Sequence, residues 1–238
     1  MLLEVAGLNK SFGSIVAAED LDLSIAPGEA IGIIGPNGAG KTTLFNLISG
    51  GLQPNGGSIR FDGHDLAGMP PQGRCRAGIG RTHQIPQPFE KLTVFENLLV
   101  GAVHGRGRTE AAAAQACGEI LGRLGMLKRA NTPAGSLTLL ERKRLEMARA
   151  LATSPRLLLL DEIAGGLTEG ECAALVETIR EIRTTGVAIL WIEHVVHALL
   201  AVVDRLVVLN FGRKIAEGVP KQVMQLPEVH QIYIGIEA

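Results

Sequence analysis

Apolar and polar positions along this chain sort into short strands first, then helices, then strands and helices in alternation. Residues 2–8 and 21–25 alternate or run apolar and read as strands, and "PGEA" (Pro27–Ala30) is the turn before a third strand over 30–34. A helix is predicted from Gly40 to about Ser49, where Leu44, Phe45, Leu47 and Ile48 form an apolar face. The stretch "GGLQPNGGSIRFDGHDL" is a turn-rich ribbon with one short strand at Ser58–Phe61. From about Pro86 helical patterns dominate: "VFENLLVGAV", "EAAAAQACGEILGRLGM" and "LERKRLEMARAL". Strand and helix then alternate through "RLLLLDE", "ECAALVETIREIRTT", "VAILWIEH" and "RLVVLNFGRKIAEG". The pattern is an α/β core interrupted by a helical insertion at roughly 86–150, without an internal repeat.

The 238 residues suffice for one such core with a sizeable insertion. A net charge of −1 and a pI near 6.6 provide no general attraction to nucleic acid or an anionic membrane, and no nucleic acid partner is expected. Cys75, Cys117 and Cys172 are scattered, with neither pairing nor metal spacing, and fit small core or surface positions in a reducing compartment. The amino terminus "MLLEVAGLNKSFG" lacks a basic-then-apolar signal pattern. The most apolar long segment, "VAILWIEHVVHALLAVV", is broken by Glu193, His194 and His197, so no membrane span is expected. A mean hydropathy of +0.23 is high for a soluble chain, and either a large core or a sticky partner-facing surface explains it. The alanine-rich "RGRTEAAAAQA" reads as an ordinary exposed helix start.

Candidate chemistry concentrates between the third strand and the first helix. Gly35, Pro36, Asn37, Gly38, Ala39, Gly40, Lys41 and Thr42 fill the Walker A pattern, and Thr43 follows. The glycines let successive N–H groups turn toward phosphate oxygens, and the amino end of the helix adds positive potential. Lys41 would bridge the β- and γ-phosphates, while the Thr42 hydroxyl would ligate Mg²⁺. Downstream, "RLLLLDE" is a buried strand ending in Asp161, suited to hold Mg²⁺ through water, and Glu162, suited to orient or deprotonate the attacking water.

Over essentially its whole length the chain resembles the ATP-binding subunits of ABC transporters, because further features follow in that family's order. Phe12 precedes the loop where the family stacks adenine on an aromatic ring. Gln84, in "GIGRTHQ", matches the glutamine that touches Mg²⁺ and senses the membrane partner. Leu137-Thr138-Leu139-Leu140-Glu141 occupies the signature positions, with Thr138 and Glu141 keeping polar groups toward nucleotide, and His194 matches the switch histidine contacting the γ-phosphate. The resemblance implies an α/β P-loop NTPase (RecA-like) core with an antiparallel β subdomain and an inserted helical subdomain. The single nucleotide-binding domain would cover 1–238, with its core at about 1–85 and 151–238 and the helical part at about 86–150. It also implies ATP and Mg²⁺, a second ATP-binding subunit (identical or different), membrane permease subunits and, indirectly, a periplasmic or extracellular solute-binding protein. The chain would be cytoplasmic and peripheral on the inner face of the cell membrane. "GIGRTHQ", "LTVFENLLVG" and "PEVHQIYIGIEA" are similar to the branched-chain amino acid importers, with the lipopolysaccharide-export ATPase and soluble ABC ATPases as alternatives.

The chain also departs from the pattern. Both signature glycines are leucines, Leu139 and Leu140, where the family's backbone amides approach ATP on the opposite subunit. Ile163 replaces the usual proline, and Gly165-Gly166-Leu167-Thr168 replaces a D-loop ending in Asp or Asn. Two accounts stay open: an asymmetric dimer that relies on a partner's intact signature, or tolerated drift with the amides still donating. In "IPQPFEKLTVFENLL", Phe89, Leu92, Val94, Phe95, Leu98 and Leu99 cluster at the join with the insertion. Most are expected in the helical core, with Phe89 and Leu92 on the rim of a groove for a permease helix.

Overall fold

A computed structural model describes residues 1–105 and 107–234 of the chain. Arg106 at the start of "RGRTEAAAAQA" and the last four residues of "PEVHQIYIGIEA" lie outside the described residues.

The chain opens with β1 (Leu3–Phe12) and β2 (Ile15–Ile25), an antiparallel hairpin. β2 starts well before the predicted residue 21, because its first half is half-exposed and lacks a clean apolar alternation. β3 (Ala30–Ile34) leads through the glycine-rich loop into α1 (Lys41–Ser49), as predicted. β4 (Gly56–Phe61) and β5 (His64–Asp65) complete a four-stranded sheet in the order β2-β1-β4-β5. The sequence pattern missed the next two elements, α2 (Pro71–Ala77) and the three-residue β6 (Ile79–Arg81). Both are too short for periodicity to register.

The helical segment consists of α3 (Val94–His104), α4 (Glu110–Arg123) and α5 (Leu139–Ala152). β7 (Leu157–Asp161), α6 (Glu169–Arg183), β8 (Ala188–Ile192), α7 (Val196–Leu200), β9 (Arg205–Asn210) and β10 (Arg213–Gly218) follow. Two short helices, α8 (Pro220–Val223) and α9 (Pro227–Ile234), end the described chain. The second sheet has the order β10-β9-β3-β8-β7-β6, and its pairs are parallel except β10 on β9.

This parallel sheet divides the core into two layers. Every residue of β3, β7 and β8 is buried, the signature of a sheet covered on both faces. Within β7, Leu157 and Leu159 join the layer shared with α1 and the antiparallel sheet, whereas Leu158 and Leu160 join the layer shared with the helical segment. Alternation therefore survives as a choice between two cores rather than between core and water. Among the described residues the helical segment has no separate core: Val94, Leu98, Leu121 and Leu145 belong to the same cluster as Leu158, Leu160 and Trp191.

Three helices share one start signal. Thr93, Thr138 and Thr168 each accept a hydrogen bond from the N–H three residues on, and Glu96, Glu141 and Glu171 reach back to the cap N–H. This reciprocal capping box satisfies two otherwise orphaned N–H groups per helix. It also accounts for Thr168 at the end of the segment after Glu162: the residue begins α6. The sequence signal was present as T-x-x-E at all three starts; the same spacing at Thr178–Glu181 falls inside α6 and caps nothing.

Candidate nucleotide site

The loop at 35–42 leaves the end of β3 and winds around the amino end of α1. α1 starts from Gly40, at φ 97°, without a side-chain cap, so its first N–H groups remain for an anion. A Cβ on Gly40 would stand 2.2 Å from the Ala17 carbonyl oxygen, so the residue must be glycine for steric as well as conformational reasons. Gly38, at φ 80°, faces open space instead. Asn37, Gly38, Ala39, Gly40, Lys41, Thr42 and Thr43 line a cleft of about 340 Å³ with Phe12, Ile15 and Glu162. Phe12 is 47% exposed there, with the Lys10 ammonium 5.2 Å from its ring centroid.

The Lys41 ammonium is buried and donates to the carbonyl oxygens of Gly35 (2.6 Å) and Pro36 (3.0 Å). Burial lowers its pKa from the ordinary lysine value, opposed by the nearby carboxylates of Glu162 and Asp161. Both carboxylates come from the end of β7, carried there by the run of leucines. Asp161 is buried, and its N–H donates to Thr82 Oγ1 over 3.1 Å.

Glu162 has φ 46°, a left-handed conformation that costs a non-glycine residue about 1–3 kcal/mol. Its N–H donates to the Ile192 carbonyl and thereby ties it to the end of β8. Its side chain joins two predicted partners: Gln84 Nε2 donates to Oε2, and His194 Nε2 lies 3.0 Å from Oε1. Glu162, Gln84 and His194 thus meet beside the phosphate loop, although 78 and 32 residues separate the two partners from the glutamate in sequence. His197 lies elsewhere, in a surface cleft between α6 and α7.

Three supporting residues escaped sequence reasoning. Glu193, 1% exposed, accepts from Ala164 N–H (2.8 Å) and His194 N–H (2.9 Å), so one buried carboxylate fixes the loops that carry Glu162 and His194. Its signal was an acid directly after a fully apolar strand. Lys143 on α5 is buried with its pKa lowered by desolvation, opposed first by Glu193, and donates to the Glu162 carbonyl over 3.3 Å. Arg81 pairs with Asp161 at 2.9 Å. Nothing local distinguishes Lys143 from the other basic residues, and Arg81 stood out only as part of the "GIGRTHQ" stretch, with no partner assigned to it.

Thr138 and Glu141 do not line this cleft; they form the capping box of α5. The Thr138 N–H and the Arg129 guanidinium hold the Glu141 carboxyl below the usual range. Leu139 is 46% exposed at this helix end, while Leu140 is half-buried.

A separate groove of about 480 Å³ lies between the sheet and the helical segment and includes Arg81, His83, Phe89, Glu146 and Arg149. Phe89 is exposed, with the Arg149 guanidinium 5.1 Å from its ring centroid. Leu92, expected beside it on the rim, is half-buried and does not line the groove. The turn from Phe89 and the hydrogen bond from Ala134 N–H to the Leu92 carbonyl hold its backbone in. Val94 and Leu98 are core residues, with Phe95 and Leu99 packed against them, as expected.

The phosphate loop, the paired carboxylates and the histidine lie in one site, and the family model for ABC transporters matches residues 18–165. The chain belongs to the ABC transporter family. The high-affinity branched-chain amino acid transport ATP-binding protein BraF of Pseudomonas aeruginosa is 37% identical, with 98% of each chain covered. LivG of Escherichia coli K12, which bears the same description, is 38% identical over the same shares. The lipopolysaccharide export ATP-binding protein LptB of Acidithiobacillus ferridurans is 33% identical, over 98% of this chain and 97% of its own. Among solved structures, the ADP conformation of an ABC transporter's ATP-binding cassette superposes with a TM-score of 0.91 at 32% identity, covering 98% of both chains. The expected P-loop fold with antiparallel sheet and helical segment is therefore the observed one, and the chain is an ABC ATPase. Among the described residues no helix is long and apolar enough to cross a membrane.

Proposed function

We propose that this chain is the ATP-binding and ATP-hydrolysing subunit of an importer for branched-chain or other hydrophobic amino acids. The observation that carries the reading is Glu162 held between Gln84 and His194 at the mouth of the phosphate loop. Identity of 37% to BraF and 38% to LivG, against 33% to LptB over a similar length, supports the solute class over lipopolysaccharide export.

In this reading the loop N–H groups and Lys41 bind the phosphates, Phe12 stacks on adenine, and Glu162 orients water for in-line attack with His194 beside the γ-phosphate. The donor set suits Mg²⁺. Thr42, Asp161 and Gln84 offer hard oxygens, and among the described residues no cluster of three or more His, Cys, Asp or Glu could hold a metal. Such a site depends on the phosphates of the nucleotide for its remaining ligands, as magnesium sites on nucleotides do. The cation, when bound, neutralises charge on the transferring phosphoryl group.

A second ATP-binding subunit would bring its own signature helix across this cleft, and the Thr138–Glu141 end of α5 would serve the partner's site. Leucine at both signature glycine positions, Leu140 above all, favours an asymmetric pair, since a leucine side chain obstructs the approach that glycine permits. The groove around Phe89 would receive a short helix of a permease at the inner membrane face. A solute-binding protein would act through that permease. Reconstitution with the permease in proteoliposomes tests the reading. Leucine, isoleucine or valine with their binding protein should stimulate ATP hydrolysis several-fold; stimulation by lipopolysaccharide instead would place the chain with the exporters.

A further inference from the structure

Arg81 ends β6 at a point where three parts of the molecule meet. Its Nη2 donates to Asp161 Oδ2 over 2.9 Å. Its Nη1 donates to Asn46 Oδ1 (2.6 Å) and Ser49 Oγ (3.0 Å), both on α1. The Phe45 ring lies 5.7 Å from its Cζ. The Arg81 side chain is 14% exposed and the Asp161 side chain 5%. One forked cation thus spans from the helix that carries the phosphate loop to the strand that ends in the two carboxylates, a geometry that lysine cannot reproduce.

The arrangement repeats three residues on. Arg81 holds Asp161, and Gln84 holds the adjacent Glu162. Between them Thr82 accepts from the Asp161 N–H, so one short segment grips both acids in tandem. The other side of Arg81 belongs to the groove: Arg81, Asn46 and Ser49 all line it, together with Phe89 and Arg149.

We infer that Arg81 is a positioning residue for Asp161, fixing the carboxylate that serves the cation and linking it to the floor of the groove. It occupies Oδ2 and leaves Oδ1, which has no protein partner among the described residues. A buried carboxylate without this partner would lose its hydrogen-bonded cation and be free to turn, with only the nearby Lys41 charge left to offset it. Residues that orient a metal ligand in this way typically contribute about 10–100-fold to metal affinity. Because Arg81 also forms part of the groove floor, a helix that seats there bears on Asp161 by a path separate from Gln84.

The inference rests on Asp161 serving Mg²⁺, and the test separates the two. ATP affinity of the purified full chain is measured with Mg²⁺ and with chelator, giving the gain in affinity that Mg²⁺ confers. R81M is expected to bind Mg-free ATP like the wild type, since Arg81 does not line the nucleotide cleft. Its Mg²⁺ gain should fall about tenfold or more. R81K, which keeps the charge but not the fork, should fall between. A full Mg²⁺ gain in R81M, or equal losses with and without Mg²⁺, would overturn the inference. If R81M does not fold, R81K decides it: a reduced gain supports the role and a wild-type gain refutes it. D161N is the control for the underlying reading. An unchanged Mg²⁺ gain in D161N removes Asp161 from the cation site, whereas its loss in D161N with R81M intact removes Arg81 alone.

Discussion

Glu162 carries both backbone strain and shared side-chain contacts. It combines a left-handed backbone with a carboxylate shared between Gln84 and His194, and its neighbours over-determine it through the Ile192 carbonyl and Lys143. E162Q keeps the shape and one hydrogen-bonding oxygen but cannot accept a proton. Hydrolysis is expected to fall about 10²–10⁴-fold with ATP affinity retained, so that single-turnover mixing shows bound, uncleaved ATP. K41A should act on the opposite parameter. Loss of a charge-assisted contact worth about 1.5–3 kcal/mol predicts a roughly 10–100-fold weaker nucleotide affinity by titration calorimetry. The identity of both residues was legible in sequence because each closes a local motif. Glu193 and Arg81 were not, because their partners lie on other strands and only the fold brings them together.

At the scale of elements, capping decides where helices start. α1 begins at an uncapped glycine facing the cleft, while α3, α5 and α6 each begin at a threonine with a reciprocal glutamate. T138A should destabilise the chain by about 1 kcal/mol. For a domain of this size the midpoint of thermal unfolding would drop by roughly 2–4 °C in calorimetry. The three capping glutamates have pKa values held below the ordinary carboxylate value, each chiefly by its cap N–H. A depressed folded pKa gives stability that is complete above the unfolded value of about 4.3 and disappears as pH falls through the lower folded value. Chemical denaturation at pH 7 and at stepwise lower pH should show this loss setting in as pH falls below about 4.3, and E141Q should lose less than the wild type across the same range. Strand and helix existence was readable wherever an element was long and strongly patterned. α2 and β6 were not, since seven and three residues are too few to show a period.

For the whole molecule, two separate openings flank the same sheet, the nucleotide cleft and the groove, and the segment from Arg81 to Phe89 connects them. F89A is therefore expected to leave ATP affinity unchanged while weakening assembly with the permease by about 2 kcal/mol, roughly 30-fold, in a pull-down titration. The corresponding change at Leu92 should affect assembly less, because Leu92 does not line the groove.

The sequence by itself determined the phosphate loop, the acids after the leucine run and the order of the longer strands and helices, since each is written in neighbouring residues or repeats at the spacing of its own element. Tertiary structure alone decided that Glu162 meets Gln84 and His194, that Glu193 and Arg81 support the site, and that the helical segment shares a core with the sheet. Those contacts join residues far apart along the chain, and their geometry exists only once parallel strands in the order β3-β8-β7-β6 bring the strand ends side by side.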